Sequence, residues 1–79
     1  MIKTSEEFES AMLSILKGVK DEKDINEISN SLGQGNFNDA LEECLSKGLV
    51  KGLTYQKGIV SIYNPRPSYL GLKYIESKI

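Results

Sequence analysis

The apolar residues of this chain change period once, at Gly48, and that change limits the folds open to it. Before it, Phe37, Ala40, Leu41, Cys44 and Leu45 fall at i, i+3, i+4, i+7 and i+8, the spacing that lines one face of an α-helix. After it, Leu49, Lys51, Leu53 and Tyr55 alternate with Val50, Gly52 and Thr54, and Ile59-Val60-Ser61-Ile62-Tyr63 is a β-branched and aromatic run. Both patterns predict strands. Gln56-Lys57-Gly58 offers a glycine for the turn between them. Gly48 is placed to stop the helix, because glycine takes left-handed backbone without a Cβ clash. Asn36 to Tyr63 therefore predicts a helix followed at once by a hairpin of Leu49–Tyr55 and Ile59–Tyr63.

Two shorter helices are predicted before it. Thr4-Ser5-Glu6-Glu7 reads as a helix start, with Thr4 as cap, Glu7 reaching back to it, and carboxylates at the positive helix end. Phe8, Ala11, Met12, Ile15, Leu16 and Val19 then recur at helical spacing, with Leu13 off that stripe. Gly18 and the charged run Lys20-Asp21-Glu22-Lys23 predict the end of the helix. Asp24-Ile25-Asn26-Glu27 repeats the capping pattern, and Ile25, Ile28 and Leu32 form the narrow stripe of a second helix that Gly33 would end. Gln34-Gly35 predicts the turn and Asn36 the cap of helix three; so short a connection makes helices two and three cross, as in a helix-turn-helix.

Beyond the hairpin, Asn64-Pro65-Arg66-Pro67 predicts the end of the second strand, since each proline lacks a ladder donor. Ser68 can cap a last helix, with Tyr69, Leu72, Ile75 and Ile79 at helical spacing and Tyr74 beside them. That helix either packs back on helix one or supplies a dimer contact. The expected order is α-α-α-β-β-α: a mainly α fold with a small antiparallel β-hairpin (α+β), laid out as a winged helix-turn-helix, in a single domain over residues 1–79.

Seventy-nine residues give only a small core, which must bury most of its apolar side chains or share them with a partner. No apolar run approaches the roughly 20 residues of a membrane span, and Met1 to Leu13 lacks the basic start and apolar middle of a signal peptide. The lone cysteine, Cys44, has no internal disulfide partner. A cytoplasmic location is the expectation. The net charge of −1 hides an asymmetry. Residues 1–46 hold four Lys and ten Asp or Glu, net −6, and residues 47–79 hold five Lys, Arg66 and one Glu, net +5. The division is either chance placement on solvated faces or a bipolar surface with the hairpin and C-terminal segment facing an anionic partner.

Three stretches together resemble the YjcQ-like family of small winged-helix proteins from Gram-positive bacteria and their phages or mobile elements. They are Ser31-Leu32-Gly33, Gly48-Leu49-Val50-Lys51-Gly52-Leu53, and Tyr63-Asn64-Pro65-Arg66-Pro67-Ser68 followed by Gly71-Leu72-Lys73-Tyr74-Ile75-Glu76. The resemblance covers roughly residues 8–78. It implies the fold and a phage or prophage origin, and brings no activity and no functional residues with it.

Enzyme chemistry has little to stand on, and no cofactor, metal or small-molecule substrate is suggested. The chain has no histidine, which removes the usual neutral-pH acid-base group and the commonest metal ligand. Cys44 lies on the apolar stripe of helix three beside Glu42 and Glu43, the wrong sign to activate a thiolate. Glu42 and Glu43 are adjacent, so their side chains diverge on a helix. Gly33-Gln34-Gly35 lacks the lysine and the preceding strand of a phosphate loop.

Two functions remain. A DNA-binding transcriptional regulator of phage type would place helix three in the major groove of double-stranded DNA. Gln34, Asn36 and Asn38 would then reach base edges, and Lys47, Lys51, Lys57 and Arg66 would meet phosphates. Against this stand the capping role available to Asn36 and the carboxylates Asp39, Glu42 and Glu43 on the more exposed side of the same helix. An interaction or dimerisation module is the alternative, pairing head to tail with a second copy or engaging a host or phage protein, with Leu13, Tyr55, Tyr63 and Tyr69 as candidate contacts.

Overall fold

A computed structural model describes residues 2–78. Along the chain run α1 (Ser5–Lys20), α2 (Ile25–Leu32), α3 (Gln34–Ser46), β1 (Val50–Gln56), β2 (Ile59–Pro67) and α4 (Tyr69–Ser77). The protein is mainly helical with one two-stranded antiparallel hairpin, in the order α-α-α-β-β-α that the sequence predicts. Among the described residues, no helix is long and apolar enough to cross a membrane.

Helix α1 is the central element, packing against α2, α3, α4 and β2. Ile15 and Leu16 of α1 meet Phe37, Leu41 and Cys44 of α3 as the most deeply buried side chains. Thr4 caps α1 by accepting from the Glu7 N–H at 3.1 Å, while the Glu7 carboxylate accepts from the Lys3 N–H at 2.9 Å, one residue earlier than expected. Gly18 does not end α1. It is a buried position inside the helix, where a Cβ would come within 2.5 Å of Ile28 Cδ1, so it lets α2 pack close. The stop lies further on. Glu22 adopts φ 60°, the Glu22 N–H donates to Val19 O at 3.1 Å, and the Lys23 N–H donates to Gly18 O at 2.9 Å. That pair of bonds is the Schellman closure, here on a residue other than glycine.

Asp24 caps α2 by accepting from the Asn26 N–H at 2.7 Å. The joint to α3 is a single residue, Gly33, with φ 91°. Gln34 and Gly35, expected as a turn, form the first turn of α3, and Asn36 is not the cap. With the chain reversing at one glycine, Asn36 sits inside the helix, and its Nδ2 donates back to Leu32 O at 3.0 Å. At the other end of α3 the expected stop holds. Gly48 has φ 69°, its N–H donates to Leu45 O at 3.1 Å, and the Leu49 N–H donates to Cys44 O at 2.9 Å.

The hairpin turns on two residues, Lys57 (φ 51°) and Gly58 (φ 80°), and Gln56 belongs to β1. Two positive φ values in succession are those of a type I′ turn, whose twist matches the strands. Residue pairs run from Gln56 with Ile59 through Leu53 with Ile62, then skip at Gly52 to Lys51 with Arg66 and Val50 with Pro67. Gly52 has φ 81°, and a Cβ there would strike the backbone of Tyr63 and Asn64. One residue of β1, Gly52, thus faces three of β2, Tyr63 to Pro65, and this irregularity breaks the alternation along β1. Val50 and Leu53 therefore face the core while Lys51 is exposed, and Leu49, Lys51, Leu53 and Tyr55 do not share a face as the simple alternation predicts.

Strand β2 continues through both prolines to Pro67. The Ser68 N–H donates to Leu49 O at 2.9 Å. Amides alternate sides along a strand, so Arg66 also points toward β1, and the nitrogens of Pro65 and Pro67 fall on the open edge, where no donor is needed. Helix α4 then starts with Ser68 as cap, accepting from the Gly71 N–H at 3.1 Å. It packs against α1 in the same chain, where the Tyr74 hydroxyl donates to Glu9 O at 3.4 Å and Lys78 Nζ to Glu9 Oε1 at 2.8 Å; Gly71 and Ile75 are its buried residues. The face is rotated from the expected one: Tyr69 and Leu72 are exposed, and Ile79 lies outside the described residues. Gly71 sets the rotation, since a Cβ there would strike the Leu49 carbonyl.

Candidate nucleic-acid interface

The three residues expected to reach bases all lie in the first turns of α3 and are already engaged. Ser29 Oγ, which is buried, donates to Gln34 Oε1 at 3.2 Å, and Gln34 Nε2 donates to Asn38 Oδ1 at 3.0 Å. With Asn36 turned back on Leu32, each amide already uses at least one of the two groups that a bidentate contact to adenine requires. One turn further, Asp39 and Glu42 are exposed and Glu43 is half-buried. With Phe8 and Ser46 they line a shallow groove between α3 and α1. Among the described residues the one ion pair joins Lys78 Nζ to Glu9 Oε1 at 2.8 Å, so these three carboxylates have no cation within 4 Å. From Asp24 to Ser46 the sequence has five carboxylates and no Lys or Arg. The helix-turn-helix unit is uniformly anionic.

The wing is its opposite. From Lys47 to Ile75 there are five cations (Lys47, Lys51, Lys57, Arg66 and Lys73) and no carboxylate. The structure brings two of the expected phosphate contacts together, because Lys51 and Arg66 are cross-strand partners. Like charges so placed repel; Arg66 Nη1 donates to Asn64 O at 2.9 Å, which holds the guanidinium on the strand. Lys57 stands at the turn, about 20 Å along the strand from Lys51 at ~3.3 Å per residue. Lys47 is the C-cap residue of α3, where a cation suits the negative end of the helix. The base-reaching and phosphate-reaching candidates thus sit on separate elements of opposite charge.

The residues that the sequence reading passed over as contacts, Ile59, Ile62, Leu70 and Leu72, are apolar and join Tyr63 and Tyr69 on the surface. Ile59, Ile62, Tyr63, Tyr69 and Leu70 are each more than half exposed and Leu72 is 37% exposed, and all lie on β2 or α4. Lys73 Nζ lies 5.5 Å from the centre of the Tyr69 ring. A signal for this was present. Ile59-Val60-Ser61-Ile62-Tyr63 is apolar at successive positions, whereas a two-stranded sheet has one face to bury. Of the candidate contacts, Tyr63 and Tyr69 are exposed, while Leu13 and Tyr55 pack partly against the core.

No group of three His, Cys, Asp or Glu side chains that could hold a metal ion occurs among the described residues. Cys44 is buried, and that burial, with a smaller push from Glu43, raises its thiol to about 12. Burial in apolar surroundings thus holds the thiol in its protonated form, the state of a packed core cysteine. The cleft between α1 and α2 mixes Lys17 and Lys23 with Asp21 and Glu27 and favours neither sign of ligand. No protein-family model, curated protein or solved structure matches the chain.

Proposed function

We propose that this chain is a small protein-association module that docks through its wing and α4 on an acidic protein surface. The observation that supports this is a coincidence of two properties. Among the described residues, the six exposed large apolar side chains all lie on β2 and α4, within the stretch from Lys47 to Ile75 that has only positive charge. Exposed tyrosines and an arginine are the side chains that anchor protein interfaces, and a one-signed surface steers an oppositely charged partner. Lys57 adds to this reading. It holds a left-handed φ of 51°, where asparagine or glycine fits better, and a strained residue that retains its charge points to use of that charge.

Binding to double-stranded DNA, as a transcriptional regulator of phage type, is the second reading. The adjacent pair Lys51 and Arg66 favours it. Such binding would run through phosphates and be insensitive to sequence, and it would have to overcome repulsion by Asp39, Glu42 and Glu43. Membership of the YjcQ-like family, with its phage or prophage setting and a cytoplasmic location, is compatible with either reading.

An isotope-labelled sample separates them. An acidic, leucine-containing peptide should shift the backbone amide signals of residues 59–63 and 69–73, and Lys51→Glu with Arg66→Glu should abolish the effect. A random duplex of about 20 base pairs at low salt should leave the α3 amides of Gln34 to Glu43 unmoved. Duplex-induced shifts in the wing around Lys51 and Arg66 or along α3, with none from the peptide, would overturn the association reading.

A further inference from the structure

We infer that the partner of the wing is a second copy of this chain, whose α3 receives it head to tail. This inference rests on the association reading above and names its partner. The outer face of the hairpin is unpartnered. It bears Lys51 beside Arg66 at its base and Ile59, 69% exposed, next to Lys57 at its tip, with Tyr63, 84% exposed, between them. The surface complementary to it lies on the same chain. The groove along α3 has a partly buried aromatic ring, Phe8, between α1 and α3, and is edged by Asp39, Glu42 and Glu43. The two surfaces match in character, with three carboxylates around an apolar patch facing three cations around apolar side chains. They also match in what each lacks. No Lys or Arg lies between Asp24 and Ser46, and no carboxylate between Lys47 and Ile75.

The contact joins two different surfaces, so it is heterologous, and each added copy leaves one wing and one groove free. Further copies then add into rings or short chains unless two copies close the cycle by exchanging wings reciprocally. One wing on one helix is a small interface, so association is weak and depends strongly on salt.

The test is sedimentation velocity of the full chain from about 10 μM to about 1 mM, at low and at physiological salt. The weight-average mass should rise with concentration above that of a monomer and fall as salt is added. Two variants isolate the surfaces. In one, Asp39→Lys and Glu42→Lys reverse the groove; in the other, Lys51→Glu and Arg66→Glu reverse the wing. All four positions are exposed, and circular dichroism checks that both variants fold. Each alone should remain monomeric, and an equimolar mixture should associate again, because each wing then meets an oppositely charged groove. A monomer at every concentration, or a mixture that fails to recover, overturns the second-copy inference. If the acidic peptide still binds the wing in that case, the association reading stands and the partner is a different acidic protein. If it does not, both fail together.

Discussion

Ser68 holds three parts of the molecule together. Its N–H donates to Leu49 O, its hydroxyl donates to Gly48 O at 2.6 Å, and the same oxygen accepts from the Gly71 N–H. The end of α3, the start of β1 and the first turn of α4 meet at this buried side chain. Ser68→Ala removes a helix cap, which costs about 1 kcal/mol, and leaves the Gly48 carbonyl short of a partner, which costs about 1 kcal/mol more. The thermal midpoint should fall by about 10 °C in a domain of this size; a fall of less than about 2 °C would show that water replaces both bonds. The cap itself was legible, since a serine follows two prolines and precedes an apolar-periodic run. The bond to Gly48, twenty residues away in sequence, was not, because no local pattern encodes it. Asn36 shows the opposite case. Its residue type suits a cap, but Gly33 also permits a helix start, and tertiary reversal at that glycine decided between them.

At the scale of elements, the existence and order of the helices were legible because each has apolar residues at helical spacing and a cap residue before it or a glycine near its end, while the end of α1 at Glu22, the start of α3 and the face of α4 were not. The hairpin was read in kind but not in phase. The bulge at Gly52 is fixed by close approach to Tyr63 and Asn64, a contact across the sheet that alternation along one strand cannot reveal. The rotation of α4 has the same origin, since Gly71 matters through what it touches. The turn gives an independent check on the element. Lys57→Asn replaces a left-handed lysine with the residue preferred before Gly58 in a type I′ turn. The variant should gain between a few tenths and about 1 kcal/mol in urea unfolding while weakening whatever binds the wing. Stability gained without any loss of peptide binding would remove Lys57 from the docking face.

At the scale of the whole molecule, three groups among the described residues tie stability to pH with the same sign. The Cys44 thiol is raised by burial, then by Glu43, to about 12. The Tyr74 hydroxyl is raised by burial and then by Glu9, and the Lys78 ammonium is raised by its hydrogen bond to Glu9. For the two acids, the native state keeps a proton that the unfolded chain has already lost, so stability is complete below the ordinary thiol value near 9 and declines as pH climbs toward 12. For Lys78, the native state likewise holds its proton longer, and its contribution fades as pH passes its raised value. The unfolding free energy should be flat from neutrality to about pH 8.5 and then fall, with Cys44 alone contributing up to about 1.4 kcal/mol per pH unit. Cys44→Ala should start from a lower plateau, because it leaves a cavity, and then fall less steeply; an identical alkaline slope would mean the thiol is not the main titrating group. The burial of Cys44 was legible from its stripe. The opposition of an anionic helix-turn-helix to a cationic wing was only half legible, because the division between residues 46 and 47 is plain in the sequence while the surfaces it creates depend on the fold.

Pro65 and Pro67 turn their nitrogens to the free rim of β2. A third strand laid along that rim would find no hydrogen to accept at either position, so the base of the wing is a poor template for the stacking of strands that makes fibrils. The stretch most prone to such stacking, Ile59 to Tyr63, is thus followed directly by its own guard. The two prolines lower the cost of leaving an apolar strand exposed, by denying a partner strand two of its bonds.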